Sequence, residues 1–354
     1  YFYLRTCCLW GQLMQMSENA EISTASARSR AERRPLPGLA AYHWAGSIPK
    51  LDRVRNISST GVYLQTPDRW QPGEIVNLTL QREGPPRMGF DHCVRLTTRA
   101  VRWGDDGVGL VFDLLDHSDL CLWDSPLKTD VTHTEPEDIL REFRVANALA
   151  FLRRIAPAAS SEFRRILREG LSNYRVESAV NIALKAESIV ASRPDTGNLR
   201  VHPQVALRVL EGGSWAEEEW VRLMWAGLLA SSLSADGKDD SNLMLVNSLS
   251  QLTNVDFRIL TVVCSRANKM GAGFGWSYSN QSGCTLNEIM RAAGARDRLR
   301  IEREIEHLAD MGLLERRAKS PTFLDDQDAN VVPTPLGQKL WSNCEVVPTL
   351  QTSS

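Results

Sequence analysis

The feature that most constrains this chain is a change of hydrophobic period partway along it. Between Gly38 and Phe112 apolar residues alternate with polar ones. The pattern is plainest from Ile75 to Gln81, where Val76, Leu78 and Leu80 take one face and Asn77, Thr79 and Gln81 the other. From Ile139 onward the apolar residues recur at three- and four-residue spacing. A period of two suits a half-buried strand and a period near 3.6 an amphipathic helix. Neither a lone sheet nor a lone bundle accommodates both, so the pattern predicts an α+β multidomain fold.

The strand patterns fall at Gly38 to Trp44, Leu51 to Ile57, Gly61 to Gln65, Ile75 to Gln81, Cys93 to Trp103 and Val108 to Phe112, with Gly104 to Gly107 as the last turn. Six short antiparallel strands in so short a stretch predict a closed barrel, because closure removes exposed edges. Helical patterns follow at Ile139 to Ile155, Ser161 to Gly170, Val176 to Ala191, Val205 to Leu210 and Glu217 to Leu233. The last third predicts helices over Asp256 to Ala267 capped by Asn254, Leu286 to Ala293 capped by Thr285, and Arg296 to Met311. Two strands at Leu313 to Arg317 and Ala329 to Pro333 and a helix at Leu336 to Trp341 complete it. That order is the winged-helix order. The domains expected are an arm over 1–27, a barrel over 28–123, a linker over 124–137, a helical region over 138–250, a winged-helix-like domain over 251–345 and a disordered tail over 346–354. The first fifteen residues, ahead of Met16, read as upstream translation.

Charge narrows the functions available. Lys and Arg number 41 against 43 Asp and Glu, a net of -2, so no global field draws the molecule to nucleic acid or an anionic membrane. Residues 28 to 114 hold 13 basic and 9 acidic residues, a net of +4, so anion binding is expected to be local to the barrel. Seven cysteines without a C-x-x-C pair, and histidines away from zinc-ligand spacings, predict a reducing cytoplasm and no structural metal. No apolar run is long enough to span a bilayer. Pairs such as Asp105-Asp106 and the neighbours His92-Cys93 have no spacing that specifies acid–base or nucleophilic chemistry, and no enzyme is expected.

Two short motifs carry more information. Arg30 and Arg34 stand four apart, with Arg33 between them, at the end of a polar arm; Asn56, Ser58 and Gly61 follow where one strand turns into the next. A guanidinium can satisfy guanine O6 and N7 together, and a second arginine can grip a phosphodiester through two hydrogen bonds. Asn56 and Ser58 offer short polar groups from a rigid strand end, and Gly61 permits a positive φ and close backbone approach. Over residues 28 to 114 this set, R-x-x-x-R followed by N-x-S-x-x-G, resembles the PilZ domain. Trp70-Gln-Pro-Gly73 and Val101-Arg-Trp-Gly ahead of Gly107-Val-Gly-Leu-Val-Phe112 extend the resemblance. It implies a six-stranded antiparallel PilZ-like barrel and a ligand, cyclic di-GMP, held by Arg30, Arg33, Arg34, Asn56, Ser58 and Gly61.

In the final third Arg296, Arg298, Arg300 and Arg303 are candidate DNA contacts, although residues 287 to 319 hold 8 basic and 7 acidic residues, a net of only +1. Winged helices also serve as protein-contact modules, so DNA and a protein partner both stand. Val201 to Glu211, Glu217 to Ala230, Leu249 to Thr253 and Phe257 to Leu260 look like the Abi-alpha family of phage-encoded abortive-infection proteins, a resemblance of core pattern over about residues 200 to 345. The reading is a cytoplasmic, non-enzymatic cyclic di-GMP receptor with no cofactor, whose barrel couples to a helical and winged-helix output module. The alternative is an interaction or phage-defence protein in which the barrel is a docking module.

Overall fold

The computed structural model describes residues 38–45, 48–58, 60–83, 93–113, 136–193, 197–271, 283–294, 296–317 and 330–344. The chain divides into two compact units, one ending at Phe143 and the other beginning at Arg144. The expected arm, most of the linker, the tail, His92 and the greater part of the Met270 to Trp276 loop lie outside the described residues.

In the first unit, β1 (Leu39–Ala45), β2 (Ile48–Ser58), β3 (Gly61–Gln65), β4 (Ile75–Arg82), β5 (Cys93–Trp103) and β6 (Gly107–Phe112) form a closed antiparallel barrel. The strand order is β1-β2-β3-β6-β5-β4, and β4 closes the ring against β1 with Ala41 opposite Leu80. Alternation fills the interior: Val54, Leu64, Val76, Leu78, Leu80, Val94, Leu96 and Leu110 are all buried. Closure of so small a barrel needs sharp local bending. Register shifts supply it between Val54 and Asn56 on β2 and between Ala100 and Arg102 on β5. Pro72 and Gly73 make the turn into β4, where the Glu74 amide donates to the Gln71 carbonyl and Gly73 takes φ +92. That conformation at the third turn position is the type II geometry that selects glycine.

Helix α1 (Pro136–Ile155) begins in this unit. Its Phe143 is fully buried with its ring 4.7 Å from that of Phe112, edge to face. Glu137 pairs with Arg82 at the end of β4.

In the second unit the rest of α1 is followed by α2 (Ser160–Arg165), which runs into a single π turn over Ile166–Gly170. Then come α3 (Asn173–Ala191), α4 (Pro203–Gly213), α5 (Glu219–Ser231), α6 (Leu243–Ser250), α7 (Asn254–Gly271), α8 (Leu286–Ala293) and α9 (Arg298–Asp310). The strands β7 (Leu314–Arg317) and β8 (Asn330–Pro333) pair antiparallel, and α10 (Pro335–Cys344) is the last element among the described residues. One continuous hydrophobic cluster runs from Val145 on α1 through Trp225 on α5 and Leu260 on α7 to Trp341 and Cys344 on α10. Within it Arg144 is buried, donating to the Asn181 side chain with Glu177 3.8 Å away.

Helix starts differ from expectation where caps compete. Asn254 does not cap α7: the Asp256 amide donates to Thr253 Oγ1, so the hydroxyl one residue earlier takes the role. Helix α9 begins at Arg298, not Arg296, because Asp297 accepts from the Arg300 amide. Thr285 caps α8 as expected, within a full capping box to Glu288.

Candidate functional site

Asn56, Ser58 and Gly61 meet at the β2–β3 turn. Asn56 sits at the β2 bulge opposite Tyr63 and is half-buried. Ser58 is 2% exposed, and its hydroxyl donates to the Gly61 carbonyl at 3.2 Å while accepting from the Thr60 amide at 3.4 Å. This is a side-chain-closed turn, and it occupies the hydroxyl. Gly61 does not use a positive φ, contrary to expectation. Glycine is required there because a Cβ would stand 2.2 Å from the Leu110 carbonyl oxygen on β6. Arg30, Arg33 and Arg34 lie outside the described residues.

Sequence reasoning passed over two polar clusters on the barrel. His43 on β1 is buried between two carboxylates: Nδ1 is 2.7 Å from Asp52 Oδ2, close but poorly aligned for a hydrogen bond, and Nε2 is 2.9 Å from Asp68 Oδ2. Trp70 meets the imidazole edge to face at 4.8 Å. Hydrogen bonds from Lys50 and, less strongly, from His43 hold the Asp68 carboxyl below its ordinary range against partial burial. The signal was the pairing of His43 with Lys50 in a β1–β2 hairpin, which becomes visible only once register is known.

The second cluster centres on Asp106 in the β5–β6 turn. It accepts from Gln65 Nε2 at 2.7 Å, Tyr63 Oη at 2.9 Å and Arg55 Nη1 at 3.0 Å. Gln65 first, then Tyr63, lowers its carboxyl pKa. Burial, aided by Asp106, raises that of Tyr63. Neither cluster positions an activated nucleophile, and both tie neighbouring strands and loops together.

In the second unit Arg296, Arg298, Arg300 and Arg303 are all exposed. Arg298 is paired with Glu302 at 2.8 Å, while Arg300 and Arg303 stand 3.9 and 3.5 Å from Glu304. The outward face of α9 is therefore arginine-rich but partly neutralised along its own length. Behind that face, Asp256 at the start of α7 and Glu304 and His307 on α9 bring one possible metal-ligating atom each within 4.8 Å of one another. No helix among the described residues is long and apolar enough to cross a membrane.

Comparison with known proteins gives one informative result. The family model described as abortive infection alpha matches residues 177–344, from the first turns of α3 to the end of α10. It starts earlier than the pattern resemblance near residue 200, and the barrel lies outside it. No curated protein matches the chain.

Proposed function

We propose that the protein is an abortive-infection factor: the helical unit carries the defence output, and the barrel is a docking or sensing module attached to it. The observation that carries this reading is the family match over 177–344, whose span lies within a unit built around one hydrophobic cluster. It acts in the cytoplasm without catalysing a reaction, through contacts made by its surfaces. The helix, helix, helix and two-stranded order of α7 to β8 supports a winged-helix output, with the exposed arginines of α9 offered to DNA or to an acidic protein partner. Efficiency of plating tests the defence role. Cells expressing the full chain should yield fewer plaques for at least one phage of a broad panel, with infected cells dying before burst. Unchanged plaque counts and burst sizes across the panel would remove the reading.

A second reading assigns cyclic di-GMP to the barrel as its signal. What favours it is the six-stranded closed order together with Asn56, Ser58 and Gly61 at one strand end, preceded in sequence by Arg30, Arg33 and Arg34. Because Ser58 spends its hydroxyl inside the turn, the arginines and Asn56 carry the affinity. Arg34→Ala then weakens binding by about 1.5–3 kcal/mol, the worth of a charge-assisted hydrogen bond. Isothermal calorimetry with cyclic di-GMP on the full chain decides it, and absence of heat from the wild type rules the ligand out.

A further inference from the structure

We infer that Asp256, Glu304 and His307 form a binding site for a divalent first-row transition cation that clamps α7 to α9. Asp256 is fully buried. Its Oδ2 accepts from the Thr253 amide and hydroxyl, both at 2.9 Å, which closes the cap of α7. Its Oδ1, equally buried, has no hydrogen-bond partner. A buried polar oxygen without a hydrogen-bond partner carries an uncompensated desolvation cost, and native structures rarely leave one so.

Apart from Thr253, the group that faces the Asp256 carboxylate is His307, whose geometry does not suit a hydrogen bond. Nδ1 of His307 stands 3.5 Å from Asp256 Oδ2, too long for a good hydrogen bond. It is close to the roughly 3.4 Å that separates two ligand atoms each about 2.1 Å from one tetrahedral ion. Glu304 and His307 are one helical turn apart on α9, so both project from the same face toward the start of α7. The Glu304 side chain is 12% exposed, with Arg300 and Arg303 on its outer side to hold the carboxylate in place. With one atom from each residue within 4.8 Å of the others, small side-chain rotations suffice to close the three around an ion.

One imidazole and two carboxylates make a mixed nitrogen–oxygen donor set that suits Zn2+ or Mn2+ and disfavours Mg2+, which prefers an all-oxygen octahedron with retained water. The His307 side chain is 39% exposed, so solvent reaches the ion and completes its shell. Bound there, the cation compensates the buried Asp256 carboxyl group and fixes how α9 packs on α7. The site is hidden in the sequence because its ligands come from two helices, and the sole signal on one of them is the Glu304-x-x-His307 spacing.

The test uses chelator-treated full-length protein, with Zn2+ titrated against a chromogenic chelator and with thermal melting followed by circular dichroism. A Cys93→Ser background removes an exposed thiol that would compete for zinc. The expected result is a tight site lost in both His307→Gln and Glu304→Gln, each weakened more than about 100-fold, since even outer partners of a ligand are worth about 10–100-fold. Zinc at a hundred times its dissociation constant should raise the melting temperature of the second unit by about 5–10 °C, and Mg2+ should leave it unchanged. His307 is half-buried at the surface, so His307→Gln keeps the metal-free fold and carries the test by itself if Glu304→Gln unfolds. Wild-type protein showing no zinc-dependent rise, or His307→Gln retaining wild-type affinity and rise, overturns the site.

Discussion

Replacing Gly61 by alanine separates the two roles a glycine in the N-x-S-x-x-G motif can have. The new Cβ would lie 2.2 Å from the Leu110 carbonyl oxygen and 3.2 Å from both the Leu110 carbonyl carbon and Val111 Cα. These are backbone atoms of β6, held by the β3–β6 ladder that sets Gly61 opposite Val111 and Val62 opposite Leu110. They cannot swing aside as a side chain would, so the strands must part by about 1 Å to reach an ordinary carbon–oxygen contact. Overpacking of this kind costs about 1–3 kcal/mol, and a ladder hydrogen bond strained with it adds about 1 kcal/mol. For a unit near a hundred residues, a loss of about 2–4 kcal/mol lowers the melting temperature by roughly 10–25 °C. Thermal unfolding of full-length Gly61→Ala, followed through the barrel tryptophans, measures this. Melting within about 2 °C of the wild type would show that β6 does not constrain Gly61 and return the residue to a purely ligand-facing role.

Two other outcomes follow from the second unit. Glu288 accepts from the Thr285 amide, the first cause of its low pKa, and from Arg266, which together hold its carboxyl at about 2 against an ordinary 4.5. Because the folded value lies below the unfolded one, the stabilisation is complete above pH 4.5 and disappears as pH falls toward 2; Glu288→Gln should flatten the melting temperature over that window, and a wild-type-like acid slope in the variant contradicts the assignment. If α9 presents its arginines to DNA, Arg300→Ala/Arg303→Ala should weaken duplex retention at low salt across sequences alike and reduce the salt slope by about 2; unchanged retention would leave α9 to a protein partner.

The barrel was legible because its information is local. Alternation over Ile75 to Gln81 can bury Val76, Leu78 and Leu80 together only as a strand, and those are the residues found inside. Turn residues punctuate the rest: Pro72-Gly73 and Gly104 to Gly107 fall where strands end. What alternation does not encode is register, and the bulges at Asn56 and Arg102 depend on how six strands close into one ring. Helix α6 was passed over because it is short and apolar on several sides, which leaves periodicity little to act on. Caps failed by one residue at α7, where Thr253 and Asn254 are both good capping residues and only the reciprocal bond from Asp256 chooses between them.

The sites follow the same division between local and distant information. Asn56, Ser58 and Gly61 are close in sequence and meet in space, so their grouping was readable, while the atoms they have left to offer were not. Ser58 looked like a ligand donor because its residue type and position allow it, yet its hydroxyl reaches the Gly61 carbonyl once β2 and β3 pair. A motif thus fixes a turn before it fixes a ligand. His43 with Asp52 and Asp68, and Asp256 with Glu304 and His307, reverse the case. Each is assembled from segments that carry no shared pattern, and each contains a buried carboxylate whose burial is set by tertiary packing. Composition therefore sees a balanced charge of -2 where folding has placed acidic groups inside. At Asp256 the two kinds of information meet: one carboxyl oxygen closes the α7 cap through the nearby Thr253, while the other is buried without a hydrogen-bond partner by packing that no local pattern encodes.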